Sequence, residues 1–305
     1  MIRCSVCPRS CLAGRTPQSP GFCGVSAPSG QYRVARIMVH PYEEPFISGN
    51  RGSGTVFFSG CALRCVFCQN FSISQQGLGT EMAQSDLVSA ILRLQATGVH
   101  NVNLVTASHY MADMPSLIGD LRAAGLSLPI VWNSSAYETV PMLQALAGLV
   151  DIYLPDLKFA DAGLARQLAG ASDYPVVAVR AIAEMIRQQP VPVFDRQGLL
   201  IRGTAVRHLV LPGQWRDSLM VIDILAKLVP LNTPLSIMSQ YTPPADEQLD
   251  SVGSALSSGL AGELKRRITT YEYRKVIDHA LMRGFTHILG QDRSSAVRDY
   301  TPEFS

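Results

Sequence analysis

The stretch Ser59-Gly-Cys61-Ala-Leu-Arg-Cys65-Val-Phe67-Cys68-Gln-Asn places three thiols at C-x3-C-x2-C spacing, directly after the apolar run Thr55-Val-Phe-Phe. Three thiolates on one short loop can hold three irons of a [4Fe–4S] cube and leave the fourth iron open to a small molecule. A zinc site needs a fourth ligand close by, and neither Cys nor His occurs from residue 69 to residue 99. Nor can three cysteines pair off among themselves as disulfides. The loop is therefore expected to do iron–sulfur chemistry at Cys61, Cys65 and Cys68.

A second set, Cys4-x2-Cys7-x3-Cys11-x11-Cys23, is interspersed with Pro8, Pro20, Gly21 and Gly24, which supply tight turns. Four thiols so close in sequence imply a second metal site. Zinc would staple a segment too short to build its own core. An auxiliary iron–sulfur cluster would instead relay electrons or anchor a substrate, and spacing alone leaves both open.

These motifs need a scaffold. A chain of 305 residues, 47% of them hydrophobic, can bury a substantial core. The 26 basic and 24 acidic residues nearly cancel to a net charge of +2. No block of like charge offers the electrostatic footprint of a nucleic-acid binder. No apolar run reaches the roughly 20 residues of a membrane span, and the N-terminus lacks the apolar core of a secretory signal. Seven cysteines at metal-type spacing fit a reducing compartment. The expectation is a soluble cytoplasmic protein that engages neither nucleic acid nor membrane.

After the cysteine loop, short apolar strands are expected at 101–105, 129–132, 150–154, 175–179, 207–211 and 235–238. Helices are expected between them at 85–97, 115–124, 139–147, 161–169, 181–189 and 215–228, several with caps or prolines at their starts. Strands apolar on both faces and separated by helices make parallel β/α units. Their C-terminal ends are where such folds place chemistry. Residues 1–50 read as a Cys-rich, metal-ordered N-terminal segment with an extended stretch at 32–39. Residues 51–242 read as the β/α domain. Residues 243–305 read as a helical C-terminal extension, clearest at 270–283.

Polar groups cluster where the expected strands stop: Thr106 and His109, Asn133 and Ser134, Asp156 and Lys158, Arg207 with His208, and Gln240. Each has an ordinary reading. Asn-Ser-Ser and Thr-x-Ser are common cap and turn material, Asp156 and Lys158 suit a surface ion pair, and His208 suits a core histidine. Their placement at successive strand ends points to one shared site.

The cysteine loop, with Phe67 just before its third cysteine, resembles the signature of radical S-adenosylmethionine enzymes. The wider chain resembles the pyruvate formate-lyase activating enzyme-like branch of that superfamily. The matching segments include Cys4-x-x-Cys7-Pro-Arg, Glu44-Pro-Phe-Ile-Ser-Gly49, residues 60–70, 106–110, 133–138 and 151–158. Further on they include Glu184-Met-Ile-Arg-Gln188, Arg207-His-Leu-Val-Leu-Pro-Gly213 and Met238-Ser-Gln-Tyr241.

The resemblance implies a partial (β/α)6 TIM-type barrel carrying a [4Fe–4S] cluster on Cys61, Cys65 and Cys68, with S-adenosylmethionine on the open iron. It implies cofactor contacts from Phe67, Thr106, His109, Asn133, Ser134, Asp156, Lys158, Arg207 and Gln240. Residues 106–110 stand in place of the superfamily's Gly-Gly-Glu-Pro. Asn133 replaces an acid of the activases, and Gln240 stands where they tend to carry a histidine. The implied activity is reductive cleavage of S-adenosylmethionine to a 5′-deoxyadenosyl radical that abstracts hydrogen. Its substrate would be a glycyl-radical enzyme partner, or else a small molecule or peptide, with flavodoxin or ferredoxin as the one-electron donor. The competing class is a non-catalytic iron–sulfur or zinc protein acting in electron transfer or as an adaptor.

Overall fold

The computed structural model describes residues 4–26, 28–250, 256–291, 302 and 304. Eleven strands are assigned among these residues: β1 Gln31–His40, β2 Ser53–Phe58, β3 Thr80–Ala83, β4 Val102–Val105, β5 Ile130–Ser134, β6 Ile152–Pro155, β7 Val193–Phe194, β8 Leu200–Thr204, β9 Val206–Leu209, β10 Leu235–Met238 and β11 Ile288–Leu289. The fold is α/β with a mostly parallel central sheet in the order β3-β1-β2-β4-β5-β6-β8-β7. Strands β2, β4, β5, β6 and β8 run parallel. The two ends of the sheet are antiparallel, through β1 with β2 and β3 and through β7 with β8. A smaller parallel sheet runs β11-β10-β9.

The chain from Leu200 to Leu209 serves both sheets. Its first half pairs with β6 and its second half with β10. A single parallel bridge between Asp156 and Arg207 also ties the end of β6 to β9.

Side chains two apart on a strand share a face, and both faces of this sheet are apolar. Ile130 and Trp132 on β5 join the large core beneath the helices, whereas Val131 joins a second cluster with Phe46, Ile47, Ile152, Leu154, Leu200 and Ala205. Burying such a side chain is worth about 1.5–3 kcal/mol. Phe46 and Ile47 belong to the short helix Pro45–Ser48, which enters this inner face from the N-terminal side of β2.

The expected strand at 175–179 is not one. Those residues lie inside helix Tyr174–Gln188. The β-branched run Pro-Val-Val-Ala-Val reads as a strand, but the buried positions Tyr174, Ala178, Ala181, Ile182 and Met185 recur with helical spacing, and Val176 is 57% exposed. Pro175 stands in the first turn, where its missing N–H costs nothing. The strand that follows β6 in the sheet is instead Leu-Ile-Arg-Gly-Thr of β8, whose Arg202 and Gly203 hide it from apolar patterning. The expected helix at 181–189 is the second half of the same helix.

Elsewhere the expected elements are found with small shifts of their ends. The helix expected at 139–147 is shorter, Val140–Gln144. Residues 4–26 contain no helix or strand, and β1 covers the extended stretch expected at 32–39. In the region expected as a helical extension, helices Asp246–Asp250, Ser258–Leu264 and Thr270–Met282 are joined by β11, which adds to β10. The rest of that extension lies outside the described residues. The last of these helices begins with a capping box between Thr269 and Glu272. No helix among the described residues is long and apolar enough to cross a membrane.

Candidate functional site

Strand β2 is buried throughout and ends at Phe58, so the loop that follows starts from a fixed point. Gly60 turns the chain with φ +89, and a Cβ there would lie 2.5 Å from the Cys23 carbonyl oxygen. Only glycine fits this turn without strain. The loop then carries Cys61, Cys65 and Cys68, and all three line one cavity of about 230 Å³. Phe67 lines it too, packed edge-on to Phe159 at 6.1 Å. The expected thiols do come together.

The opposite wall is made by strand ends. Thr106 lies just past β4, Asn133 and Ser134 end β5, Asp156 and Lys158 follow β6, Arg207 sits on β9 and Gln240 follows β10; all of them line the same cavity. Thr106 has φ +59 and Ala136, past β5, has φ +56. Such backbone costs about 1–3 kcal/mol per residue and persists where surrounding structure enforces it. Here the Thr106 N–H is tied to the Asn133 carbonyl at 2.9 Å.

His109 departs from the expectation, because it does not line this cavity. It is 2% exposed, its Nε2 is hydrogen-bonded to the Ser59 carbonyl at 2.8 Å, and its ring lies 4.4 Å from that of Tyr110. Burial pushes its pKa down to about 3. It is a neutral prop beneath the start of the cysteine loop. His208 is likewise buried and neutral, with Nδ1 2.7 Å from the Leu157 carbonyl.

A charged network forms the floor. Lys158 Nζ donates to Asp156 Oδ2 at 2.6 Å, and Arg207 Nε donates to Asp156 Oδ1 at 2.8 Å. Arg207 Nη1 donates to Glu43 Oε1 and Nη2 to Asn133 Oδ1, both at 2.6 Å. Burial alone would raise the Asp156 carboxyl, but Arg207 and Lys158 outweigh it and hold the group below the ordinary carboxylate range. The buried Tyr174 hydroxyl accepts the Lys158 N–H at 2.9 Å and fixes this strand end. Glu43 is the functional candidate that sequence reasoning missed. Its only signal was an acidic doublet, Glu43-Glu44, set before an apolar Pro-Phe-Ile.

Burial pushes the Cys61 thiol up to about 12 and raises Cys65 and Cys68 as well. Cys61 Sγ accepts the Leu63 N–H at 3.3 Å, and Cys68 Sγ lies 3.3 Å from the Ser74 hydroxyl. Among the described residues no three Cys, His, Asp or Glu side chains stand close enough to grip one metal ion. A tetrahedral zinc site would need sulfurs about 4 Å apart.

The four N-terminal cysteines are free thiols like the other three. Backbone N–H groups reach their sulfurs: Arg9 to Cys7, Phe22 and Ala13 to Cys11, and Val25 to Cys23. These donors suit thiolates, although the sulfurs do not enclose a single-ion site. The segment is fastened to the cysteine loop. Cys61 N–H donates to the Cys23 carbonyl at 3.3 Å, Arg9 Nε to the Ala62 carbonyl at 2.8 Å, and Arg64 Nη2 to the Phe22 carbonyl at 3.3 Å. Both guanidinium groups also stack on the Phe22 ring, at 4.2 and 4.5 Å.

A larger cavity of about 700 Å³ shares Phe67, Cys68 and Gln69 with the first. Its walls are mostly aromatic, proline and amide side chains, with Glu247 as the one acidic side chain among the lining residues.

No protein-family model matches the chain. It is similar to the uncharacterized protein MJ0674 of Methanocaldococcus jannaschii, at 27% identity over 288 residues that cover 91% of this chain and 74% of that protein.

Proposed function

We propose that the chain is a radical S-adenosylmethionine enzyme of the pyruvate formate-lyase activating enzyme-like branch. The observation that carries this reading is one cavity lined by Cys61, Cys65 and Cys68 together with the polar ends of successive parallel strands. On this reading β2, β4, β5, β6, the β8–β9 strand and β10 form a partial (β/α)6 barrel whose chemistry lies at their C-terminal ends. Cys61, Cys65 and Cys68 would hold a [4Fe–4S] cluster. When bound there, cluster and S-adenosylmethionine supply a one-electron cleavage that yields a 5′-deoxyadenosyl radical.

The protein's part is to bind, orient and keep dry. Arg207 and Lys158, set by Asp156, present cationic donors to a ligand carboxylate: beyond the bonds within the network, Arg207 keeps one N–H on each Nη and Lys158 keeps two on Nζ. Thr106, Ser134 and Gln240 offer neutral donors and acceptors around the same cavity. Phe58, Val105, Leu209 and Met238 supply apolar wall, which limits stray partners for a reactive carbon. The N-terminal thiols hold a second metal, as structural zinc or an auxiliary iron–sulfur cluster, and order their segment. Seven free thiols suit a reducing cytoplasm, with flavodoxin or ferredoxin as the donor.

The branch points to the backbone of a glycyl-radical enzyme as substrate. The adjoining 700 Å³ cavity favours a second reading, a small molecule or peptide held beside the cluster, because cavities of this size suit such ligands.

The test is anaerobic reconstitution and reduction with S-adenosylmethionine. Release of 5′-deoxyadenosine is expected from the wild type and none from Cys65→Ala. A colourless, iron-free preparation, or undiminished cleavage in Cys65→Ala, overturns the assignment. Metal analysis giving about four irons and one zinc per chain assigns zinc to the N-terminal site, and about eight irons assigns a second cluster.

A further inference from the structure

Glu43 stands behind the cavity and does not line it, yet it bonds to two residues that do. Its Oε1 accepts Arg207 Nη1 at 2.6 Å, and its Oε2 accepts Asn133 Nδ2 at 2.9 Å and Asn103 Nδ2 at 3.0 Å. Asn133 Oδ1 in turn accepts Arg207 Nη2 at 2.6 Å. Glu43, Arg207 and Asn133 therefore form a closed triangle in which each member is bonded to the other two. We infer that Glu43 is a positioning residue, which holds Arg207 and Asn133 in the orientation that receives the carboxylate of an α-amino-acid ligand.

The inference rests on the cofactor reading above and adds Glu43, which lies outside the strand ends, to that site. The amide chemistry makes it specific. Asn133 uses both ends of its amide, one toward Glu43 and one toward Arg207, so it cannot turn over without losing a partner. Asn103 is different, since its buried Oδ1 has no hydrogen-bond partner. A carboxylate satisfies all three donors at once. A glutamine has one acceptor and one NH2 group in its place. With its oxygen toward Arg207, its NH2 meets two amide donors; Asn103 can turn and offer Oδ1, but Asn133 can do so only by releasing Arg207. Glu43→Gln is thus expected to disorient the pair while leaving the cavity wall chemically intact.

The experiment measures binding of S-adenosylhomocysteine, which is not cleaved, to the cluster-reconstituted full chain by calorimetry, with the melting temperature recorded in parallel. Glu43→Gln should weaken binding about tenfold, and Glu43→Asp, which keeps the charge but shortens the reach, by less. In an Asn133→Ala background the Glu43→Gln penalty on affinity should shrink to under twofold, while its effect on melting temperature persists. A general structural role would leave the affinity penalty the same in both backgrounds. Equal affinity of wild type and both Glu43 variants, or an undiminished penalty beside Asn133→Ala, overturns the inference alone. A wild type that binds no S-adenosylhomocysteine brings down the functional reading and this inference with it. Should Glu43→Gln fail to fold, Glu43→Asp carries the same cycle.

Discussion

Glu44, next to Glu43 in sequence, is 7% exposed and accepts the Ser236 hydroxyl at 2.8 Å. Burial, aided by the Glu43 charge and opposed by Arg207, pushes its carboxyl up from 4.5 to about 7. The folded chain therefore keeps a proton that the unfolded chain releases, and stability falls as pH rises between about 4.5 and 7. The full shift corresponds to about 3 kcal/mol. Glu44→Gln keeps an acceptor for Ser236 and has nothing to titrate, so its stability should vary less across this window in urea titrations. Parallel curves for wild type and variant would show that Glu44 is not the responsible group. At this scale the thiols, Asp156, Lys158 and Arg207 were legible because their types and strand-end positions announce chemistry. Glu43 was not, because its partner Arg207 is 164 residues away, and no local pattern encodes such a pairing.

Elements were legible where the apolar period was unambiguous. Strand β10 falls on its expected residues, and the helix expected at 161–169 is found as Ala162–Ala169, with Asp161 Oδ1 accepting the Leu164 N–H at 2.6 Å. The period misled at 175–179, where valines with β propensity sit on a helix whose buried face decides the outcome. Strand β8 was missed because Gly203 stands within it, and a Cβ there would lie 2.6 Å from Pro192 Cα. Gly60 permits a sharper test of how elements set the site. Alanine at this position would suffer both φ +89 and the contact with the Cys23 carbonyl. Gly60→Ala is expected to cost more than 2 kcal/mol in denaturant unfolding, above the roughly 1 kcal/mol typical of a point substitution. It should also raise protease cleavage within residues 4–26, since the displaced carbonyl lies there. An unaltered melt and digestion pattern would mean that the segment and the loop are not pressed together.

Across the whole molecule, the stretch from Leu200 to Leu209 belongs to two sheets at once, and Arg207 is bonded to Asp156 and Asn133 on the larger one. Peeling the β9-β10-β11 layer away would tear this strand in the middle and strip a largely buried guanidinium of its partners. Leaving a buried ion without its counter-charge costs about 3–5 kcal/mol, so partial melting of either layer is penalised by the other. The chain's two tryptophans report on the two layers separately: Trp132 on β5, and Trp215 at the head of the helix that follows β9. With Trp132→Phe and Trp215→Phe each leaving a single fluorophore, both denaturation curves should share one midpoint. Two separated midpoints would reveal halves that come apart independently. A shared one means that the thiol pocket cannot open by loosening one sheet, so any ligand must enter through its mouth.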